Sequence, residues 1–424
     1  MPSVLIVRGH LATPWELRPW LELPQRYEVS YLLTKSNGYA PPAELRATSV
    51  RALRDLLPRG PLGEVSAGVL GDRYLSAKEA FAQADVVHAA ELSFWFAADA
   101  ARRRSAGGRF RLVQTVWETL PMLAAYRNRH ARRFREQVLA GTDLFLAATE
   151  RAALALRLEG VAEERIEVCP PGIDIDRFAT AAGAAVSAGG DTGAAAAGAG
   201  APAPGAGAPA PGATAPPGGP AEHTIVSPGR LVWEKGHQDV MRALALLHRG
   251  VVRPPSREIV KPRLLIVGSG PEEARLRAHA ADLGLAQWVE IRSVPYEEMP
   301  SVFARASAMV LMSTAAAQAA FHPFDIPHAF WEEQFGLVLA EAMAAGLAIV
   351  TTTSGAIPEV VRGTPAELIA PGDWPSLAQV LADGPLSRPA GERVAYPAEV
   401  VQRYSTSAAA ERLTSAYDRL LAAD

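Results

Sequence analysis

Short runs of apolar residues alternate along this chain with longer stretches in which apolar side chains recur every three or four positions. The runs read SVLIV, DVVHA, RLVQTV, DLFLAAT and RIEVC before residue 180, and TIVSPG, RLLIVG, WVEIR, AMVLMS and LAIVTT after residue 222. Stretches such as QDVMRALALLH and PEEARLRAHAADLG have the spacing of amphipathic helices. Because alternating strands and helices form parallel sheets, we expect two doubly wound α/β domains in succession.

A segment of different composition separates the two halves. From about Thr180 to Ala221 it contains the run AAAAGAGAPAPGAGAPAPGATAPPGG, and the only charged residue in these bounds is Asp191. Such a segment buries too little apolar surface to offset the entropy of ordering it. We therefore predict a first Rossmann-like domain at 1–178, a disordered Ala/Gly/Pro-rich linker at 179–222, a second Rossmann-like domain at 223–397 and a terminal helix at 398–424.

Composition narrows the class of protein. With 424 residues, of which 49% are hydrophobic, the chain is long enough for two ordinary domain cores. A formal net charge of -3 provides no overall attraction to nucleic acid, so we expect no nucleic-acid partner. Cys169 is the only cysteine, which excludes an intrachain disulfide. The N-terminal MPSVLIVRGH lacks the features of a secretory signal, and no window offers about 20 uninterrupted apolar residues, so we expect a cytoplasmic protein.

The loops that follow the strands of the second half carry the candidate chemistry, because ligands of open α/β sheets bind at the carboxyl ends of strands. PGRLVWEKG follows TIVS, GSGPE follows RLLIV, and a long loop follows AMVLM. We expect these loops to open at one edge of the sheet. They contain Arg230, Lys235, Gly229, Gly268, Gly270 and Ser313.

The stretch EEQFGLVLAEAMAAG predicts a helix that begins near Phe335. Its N–H groups and dipole favour an anion by about 0.3–2 kcal/mol. Arg230 and Lys235 suit a diphosphate, since charge-assisted hydrogen bonds contribute about 1.5–3 kcal/mol each. Glu333 precedes this helix and Glu341 lies about two turns inside it. Because carboxylates accept hydrogen bonds from hydroxyls, the two glutamates suit two polyols, such as a sugar ring and a ribose.

The stretches GRLVWEKG, VGSGPE, EEQFGLVLAEAMAAG and TTSGAIPEVV together resemble the donor half of the family-four retaining glycosyltransferases of the GT-B fold. The stretch ATERAALALRLEGVAEERIEVCPPGIDIDRF resembles the hinge of the same family. The resemblance implies that Arg230 and Lys235 hold the pyrophosphate of the donor. It also implies that Glu333 contacts the transferred sugar and that Glu341 binds the ribose. Backbone N–H groups around Phe335, Gly336 and Leu337 would meet the sugar and the phosphate.

The reaction that this resemblance implies is transfer of a glycosyl group from a nucleotide diphosphate sugar to an acceptor hydroxyl, with retention of the anomeric configuration. The acceptor would be a glycan, a lipid-linked molecule or a small molecule. We expect no metal ion or other cofactor, because Arg230 and Lys235 supply positive charge where the leaving diphosphate becomes more negative. In this family the last helix crosses back onto the first domain, and we expect the same of residues 398–424.

Two other classes of protein share parts of these patterns. A nicotinamide oxidoreductase also has doubly wound sheets, but GSGPEE lacks the third glycine of the G-x-G-x-x-G fingerprint. A catalytically inactive GT-B protein that binds a nucleotide sugar, as a sensor or as a partner of another enzyme, is the alternative that we retain. Turnover of the donor distinguishes that alternative from an enzyme.

The first half contains four candidate contacts for the acceptor or the sugar, namely His10, His88, Glu91 and Glu118. Many relatives have a histidine where this chain reads QTVWETLP, with Trp117 and Glu118 in its place. Glu118 is either a substrate ligand or a carboxylate at a helix start. We expect His88 and Glu91, which belong to another strand and its following loop, to face the cleft. His10 lies in a glycine-bearing loop after the first strand.

Two groups of residues have the composition of metal ligands. Asp174 and Asp176 belong to the hinge stretch, and we interpret them as structural. His322, Asp325 and His328 lie in FHPFDIPH, where prolines and apolar neighbours favour a packed loop near the donor. We expect no metal at either place.

An arginine-rich region lies between residues 102 and 135, where Glu118 is the only acidic residue. The arginines are Arg102, Arg103, Arg104, Arg109, Arg111, Arg127, Arg129, Arg132, Arg133 and Arg135. One interpretation is a solvated surface helix with a basic face. The other is docking to an anionic membrane surface, at about 1 kcal/mol per basic residue, which would make the protein peripheral on the inner face of the cytoplasmic membrane.

Overall fold

Two parallel sheets, each followed by its own helices, build the protein. The computed structural model describes residues 1–9, 13–35, 37, 41–58, 62, 63, 66, 70, 72–123, 129–190, 222–318 and 329–422. In the described chain the first sheet has the order β3-β2-β1-β4-β5-β6-β7, and the second has the order β10-β9-β8-β11-β14-β15. All neighbouring strands within these two sheets are parallel, as the alternation of strands and helices predicts.

The strands of the first sheet are β1 (Ser3–Val7), β2 (Glu28–Thr34), β3 (Arg46–Val50), β4 (Val86–Ala90), β5 (Arg111–Val116), β6 (Leu144–Ala147) and β7 (Ile166–Val168). The strands that follow are β8 (Thr224–Pro228), β9 (Arg263–Val267), β10 (Val289–Arg292), β11 (Ala308–Leu311), β12 (Ala316–Gln318), β13 (Ala329–Trp331), β14 (Ala348–Thr352) and β15 (Glu367–Ile369). Strands β12 and β13 form a separate antiparallel pair. Every strand segment predicted from the sequence is present, as β1, β4 to β11 and β14.

The helices of the first half are α1 (Arg18–Leu21), α2 (Lys78–Gln83), α3 (Trp95–Ser105), α4 (Arg129–Gly141), α5 (Glu150–Leu158) and α6 (Ile175–Gly190). Those that follow are α7 (His237–His248), α8 (Glu273–Asp282), α9 (Met299–Ala304), α10 (Leu337–Ala344), α11 (Ile357–Val360), α12 (Trp374–Asp383), α13 (Ala398–Gln402) and α14 (Thr406–Ala422). Within the described ranges, no helix has both the length and the apolar composition needed to cross a membrane.

Both faces of each sheet are buried. Alternate residues of β1 point to opposite faces, so that Leu5 and Val7 join one hydrophobic cluster while Val4 and Ile6 join another. Strand β11 divides in the same way between the two clusters of the second domain. Burial on two faces explains why these strands are continuous apolar runs. By contrast β3, an edge strand with four of its five residues exposed, has no apolar signal in the sequence.

The predicted linker begins too early. Residues 179–190 belong to α6, so the prediction of disorder is wrong for this part. Buried Ile175, Phe178 and Ala182 form a helical stripe, and Phe178 packs on Phe303 of α9 in the second domain. Alanine side chains bury little apolar surface, which led to the prediction of disorder, but alanine also has the highest helix propensity. The rest of the predicted linker, residues 191–221, lies outside the described residues.

The chain end returns to the first domain, as expected, but only from Thr406 onward. Helix α13 stays with the second domain, where Val400 and Tyr404 are buried in its core. Helix α14 then places Leu413, Ala416 and Tyr417 in a core cluster of the first sheet.

Tyr417 joins α14 to the first domain by two buried hydrogen bonds. Its hydroxyl accepts from Trp20 Nε1 at 2.9 Å and lies 2.5 Å from His88 Nδ1. Since the indole can only donate, the hydroxyl proton goes to Nδ1, and His88 Nε2–H donates to Thr115 Oγ1 at 2.7 Å. Burial lowers the pKa of His88 well below its usual value, which agrees with a neutral ring.

We expect Tyr417→Phe to lower the free energy of unfolding by about 2 kcal/mol, because it leaves Trp20 Nε1 and His88 Nδ1 each without a buried partner. Tyr404→Phe is the matched control: its hydroxyl, also buried, donates to one carbonyl, that of Val360, and its loss should cost about 1 kcal/mol. Urea unfolding measures both. Equal costs would contradict the role assigned to Tyr417.

Candidate active site

A cleft of about 620 Å³ separates the two sheets, and the loops at the carboxyl ends of their strands line it. From the first domain it receives Arg8, Thr13, Trp15, Glu91, Trp117 and Glu118. From the second domain it receives Gly229, Arg230, Lys235, Glu333, Gln334, Phe335, Gly336 and Leu337. The cleft therefore brings together most of the residues that sequence reasoning assigned to the donor.

An ion pair lies at the second-domain wall of this cleft. Lys235 Nζ is 2.6 Å from Glu333 Oε2, and the same oxygen accepts a hydrogen bond from Ser313 Oγ at 2.5 Å. Glu333 N–H donates to Ser354 Oγ at 3.0 Å, so both its backbone and its side chain are held. Glu333 is 6% exposed and Ser313 is fully buried. A carboxylate fixed in this way presents its remaining lone pairs at one place, which suits recognition of a hydroxyl.

The turn before α10 depends on glycine. Gly336 has φ +78° and precedes the first helical residue, Leu337. A Cβ at Gly355, where φ is +54°, would lie 2.0 Å from the carbonyl oxygen of Glu333. These two glycines allow the backbone around Glu333 to pack closely and direct the N-terminus of α10 at the cleft, where its dipole favours an anion.

Glu341 lies deeper, and it is not among the residues that line the cleft. Its Oε1 accepts a hydrogen bond from Tyr296 Oη at 3.0 Å, and the residue is 4% exposed. Burial raises the pKa of Glu341 to about 7, although the Tyr296 hydrogen bond and Arg177 act in the opposite direction. Tyr296 in turn stacks on Trp15 of the first domain, with ring centroids 5.1 Å apart. Sequence reasoning did not select either aromatic residue.

Two of the predicted donor glycines have a packing role instead. A Cβ on Gly268 would lie 1.9 Å from the carbonyl oxygen of Gly229, and one on Gly270 would lie 2.4 Å from that of Leu231. Neither residue is among those that line the cleft. They let the loops after β8 and β9 approach each other, which supports Arg230 indirectly.

The first-domain candidates separate into three groups. His88 is fully buried beneath α14 and does not face the cleft, because its position in β4 points it toward Tyr417. Glu91 lines the cleft, and its Oε1 accepts from the N–H of Trp117 at 3.0 Å. Glu118 also lines the cleft, and its Oε1 accepts from the backbone N–H groups of Thr119 and Leu120 at 3.1 Å. His10 lies outside the described residues.

Contacts between the domains flank Glu333 on both sides. Arg151 binds Glu332 through Nε and Nη2, at 2.6 and 2.7 Å. Gln334 Nε2 donates to Glu118 at 3.4 Å. Phe335 meets Trp117 edge to face, with centroids 6.0 Å apart. The position of Glu333 is therefore coupled to the first domain, although no motif marked Arg151 for this role.

Of the two groups with the composition of metal ligands, the structure describes Asp174 and Asp176. Asp174 pairs with Arg18 at 3.0 Å, which agrees with a structural role. Among the described residues, no group of three His, Cys, Asp or Glu side chains is placed to hold a metal ion. His322, Asp325 and His328 lie outside that part of the chain.

The arginine-rich region carries less free positive charge than its sequence suggests. Half of its arginines pair with acidic residues just outside the region: Arg102 and Arg103 with Asp99, Arg104 and Arg111 with Asp143, and Arg135 with Glu159. Arg109, Arg129, Arg132 and Arg133 are exposed. Arg127 lies outside the described residues. The exposed basic surface is thus confined mainly to one side of α4.

Comparison with solved structures identifies the architecture. HepE from Anabaena in complex with UDP superimposes with a TM-score of 0.64 and 16% identity, over 99% of this chain and 100% of that one. The sucrose-phosphate synthase of Thermosynechococcus elongatus gives a TM-score of 0.65 and 18% identity, over the full length of both chains. Two Rossmann-like domains with a cleft between them thus define the class: a glycosyltransferase-type GT-B fold.

The family follows from the sequence comparisons. Two family models match consecutive parts of the chain: Glycosyltransferase Family 4 matches residues 21–177, and Glycosyl transferases group 1 matches residues 219–389. The chain belongs to the family-four glycosyltransferases. It is accordingly a nucleotide-sugar-dependent glycosyltransferase of the hexosyltransferase type.

Curated relatives fit this assignment. D-inositol 3-phosphate glycosyltransferase of Corynebacterium jeikeium is 27% identical over 73% of this chain and 69% of its own length. GDP-mannose-dependent alpha-(1-6)-phosphatidylinositol monomannoside mannosyltransferase of Mycolicibacterium smegmatis is 33% identical over 32% of this chain. The chain spans 31% of the second relative, so the match there covers a part of that protein only.

We expect the stability of Glu341→Gln to differ from wild type in its dependence on pH. Between pH of about 4.5 and 7, native Glu341 retains a proton that the unfolded state has lost. The free energy of unfolding of wild type therefore falls as pH rises through this window, by about 3 kcal/mol at most. The glutamine side chain does not titrate, so the free energy of unfolding of Glu341→Gln should decrease less over this pH range.

Urea unfolding at half-unit intervals from pH 4.5 to 8 measures the difference. Glu399→Gln, a change at an exposed glutamate, should retain the wild-type profile. Parallel profiles for wild type and Glu341→Gln would show that burial does not hold the proton on Glu341.

Proposed function

We propose that this enzyme transfers a hexosyl group from a nucleotide diphosphate sugar to an acceptor hydroxyl, with retention of the anomeric configuration and without a metal ion. The observation that carries the proposal is the placement of Arg230, Lys235, Glu333 and the N-terminus of α10 on one wall of one cleft. Cations, a carboxylate and N–H donors at one site match the parts of a nucleotide sugar.

Arg230 and Lys235 are assigned to the diphosphate. The planar guanidinium binds two phosphate oxygens at once, and the ammonium has three donors to share. Lys235 bonds Glu333 in this structure and keeps donors for a phosphate. As the bond to the sugar breaks, negative charge grows on the leaving diphosphate, and cations already in place stabilise it. This supports a reaction that needs no metal ion.

Glu333 is assigned to the transferred sugar, and Glu341 to the ribose. Glu333 fits because it lines the cleft with Oε2 already bonded, leaving Oε1 to accept from a hydroxyl. Glu341 fits because Tyr296 occupies only its Oε1, leaving Oε2 to accept from a ribose hydroxyl. Retention is supported by the resemblance of the donor motifs to the retaining members of the family.

The acceptor is assigned to the first-domain wall, beside Glu91 and Glu118. We propose a glycan, a lipid-linked molecule or a small molecule as acceptor, which agrees with the inositol-containing acceptors named for two relatives. An anionic membrane surface is the proposed docking partner of the exposed arginines of α4, Arg129 and Arg133 among them. The proposed location is the cytoplasm and the inner face of its membrane.

We expect Arg230→Ala to abolish the thermal shift that one of UDP, GDP, ADP and dTDP produces in wild type. A ligand at about 100 times its dissociation constant stabilises the native state by about 2.7 kcal/mol, which melting temperature resolves. Arg253→Ala removes an exposed arginine elsewhere in the second domain and should leave the shift unchanged. Absence of a shift with every nucleotide would contradict the donor assignment.

Turnover tests the reaction itself. The matching nucleotide sugar should release nucleoside diphosphate in the presence of EDTA, and the anomeric proton coupling of the product should equal that of the donor. Binding without turnover would support the alternative of an inactive nucleotide-sugar-binding protein. Loss of activity on chelation, or an inverted product, would contradict the proposed mechanism.

We expect wild type to sediment with liposomes that contain anionic lipid at low salt and to dissociate at high salt, because the attraction is screened. Arg129→Glu with Arg133→Glu should reduce the bound fraction several-fold. The matched control, Arg249→Glu with Arg253→Glu, changes charge by the same amount on the other domain. Equal binding by the two double variants would refute docking through α4.

A further inference from the structure

The first residue after β1, Arg8, is an arginine buried at the junction of the two domains. It is 7% exposed. Its Nη1 donates to the carbonyl oxygens of Val7 and His88, at 3.2 and 3.0 Å. Its guanidinium lies over the ring of Trp20, 5.3 Å from the centroid. These contacts fix the side chain in place without neutralising its charge.

Arg8 has no carboxylate partner among the described residues, where no ion pair within 4.0 Å involves it. Other largely buried arginines do have one: Arg54 pairs with Asp72 at 2.5 Å, and Arg135 pairs with Glu159. Glu16 and Glu91 act on Arg8 only through space, without an ion pair within 4.0 Å. A buried guanidinium with no carboxylate in direct contact gains from an anion that binds its remaining donors.

The position of Arg8 in the sheet is that of a ligand site. Strand β1 lies between β2 and β4. The chain continues from β1 to β2 in one direction and from β4 to β5 in the other, so a crevice forms between the carboxyl ends of β1 and β4. Arg8 bridges this crevice by its bond to His88 of β4. Arg8 lines the large cleft. It also lines a second cavity beside the hinge stretch, together with Trp15 and Tyr296. Among the described residues, the hydrogen bonds of its side chain come from Nη1 alone, so Nε and Nη2 keep their donors.

We propose that Arg8 is an anion subsite of the acceptor, and that the acceptor carries a phosphate group. The inference rests on the proposed function, which assigns the diphosphate of the donor to Arg230 and Lys235 on the opposite wall. A guanidinium with two free donor nitrogens binds two oxygens of one phosphate. The phosphate supplies the missing counter-charge and orients the acceptor hydroxyls in the cleft between Arg8 and Glu333.

The test uses inorganic phosphate as the probe, with the nucleoside diphosphate that stabilises wild type present at saturation. Saturation occupies Arg230 and Lys235, so that added phosphate reports on other sites. Wild type, Arg8→Gln, Arg8→Lys and Arg165→Gln are compared by calorimetric titration. Arg165 is a matched control, because it also donates to two carbonyl groups, those of Leu139 and Thr142, and lies over an aromatic ring, 5.4 Å from the centroid of Phe145.

We expect Arg8→Gln to weaken phosphate binding at least ten-fold, Arg8→Lys to weaken it less, and Arg165→Gln to retain the wild-type affinity. Nucleotide affinity should stay within about two-fold in all of them. If Arg8→Gln does not fold, Arg8→Lys gives the same comparison against the control, because lysine keeps the positive charge but lacks the planar pair of donor nitrogens.

Three results would overturn the inference. Phosphate that binds wild type only when nucleotide is absent belongs to the donor site. A nucleotide affinity reduced ten-fold in Arg8→Gln assigns Arg8 to the diphosphate of the donor. Phosphate binding that is absent, or that is lost equally in Arg165→Gln, removes the subsite. If no nucleotide binds wild type, the donor assignment fails, while phosphate titration without nucleotide still compares Arg8→Gln with Arg165→Gln.

Discussion

The ion pair between Lys235 and Glu333 connects two loops of the second domain, and the geometry of the cleft depends on it. Both partners are largely buried, so each needs the other: removing one leaves an uncompensated charge in a poorly solvated place. Ser313 and Ser354 restrict the same glutamate, and Gly355 allows the backbone around it to pack tightly. A sugar bound here would meet groups whose positions are set before it arrives.

The residues on either side of Glu333 belong to the contact between the domains, through Arg151 with Glu332 and Trp117 with Phe335. The first domain is also tied to the second by α14, whose residues Leu413, Ala416 and Tyr417 join a core cluster of the first sheet. A tie of this kind leaves the loops free to adjust as substrate binds. Trp15 of the first domain stacks on Tyr296 of the second, and Tyr296 is bonded to Glu341. This contact connects the proposed ribose ligand to the interface between the domains.

Charge along the chain and charge on the folded surface differ in this protein. The arginine-rich region has one acidic residue in its sequence, yet half of its arginines find carboxylates that adjoin the region in the chain or reach it across the fold. Arg8 shows the opposite case: it is a buried cation that forms no ion pair within 4.0 Å in the part of the chain that the structure describes. Electrostatic function therefore depends on which groups the fold brings within a few ångströms.

Local periodicity and short motifs were sufficient to predict the two doubly wound domains, ten of their strands and the meeting of Arg230, Lys235 and Glu333 at one edge, because strand burial and helix spacing depend on neighbouring residues. The same reasoning predicted disorder for residues that form α6 and a cleft-facing position for His88, which is buried. It also passed over Arg8, Tyr296 and Arg151. Each of these depends on contacts between segments distant in the chain, such as α6 on α9 or α14 on β4. Spacing along a sequence carries no information about such pairings, whereas packing in three dimensions selects which polar groups are buried, paired or left open to a ligand.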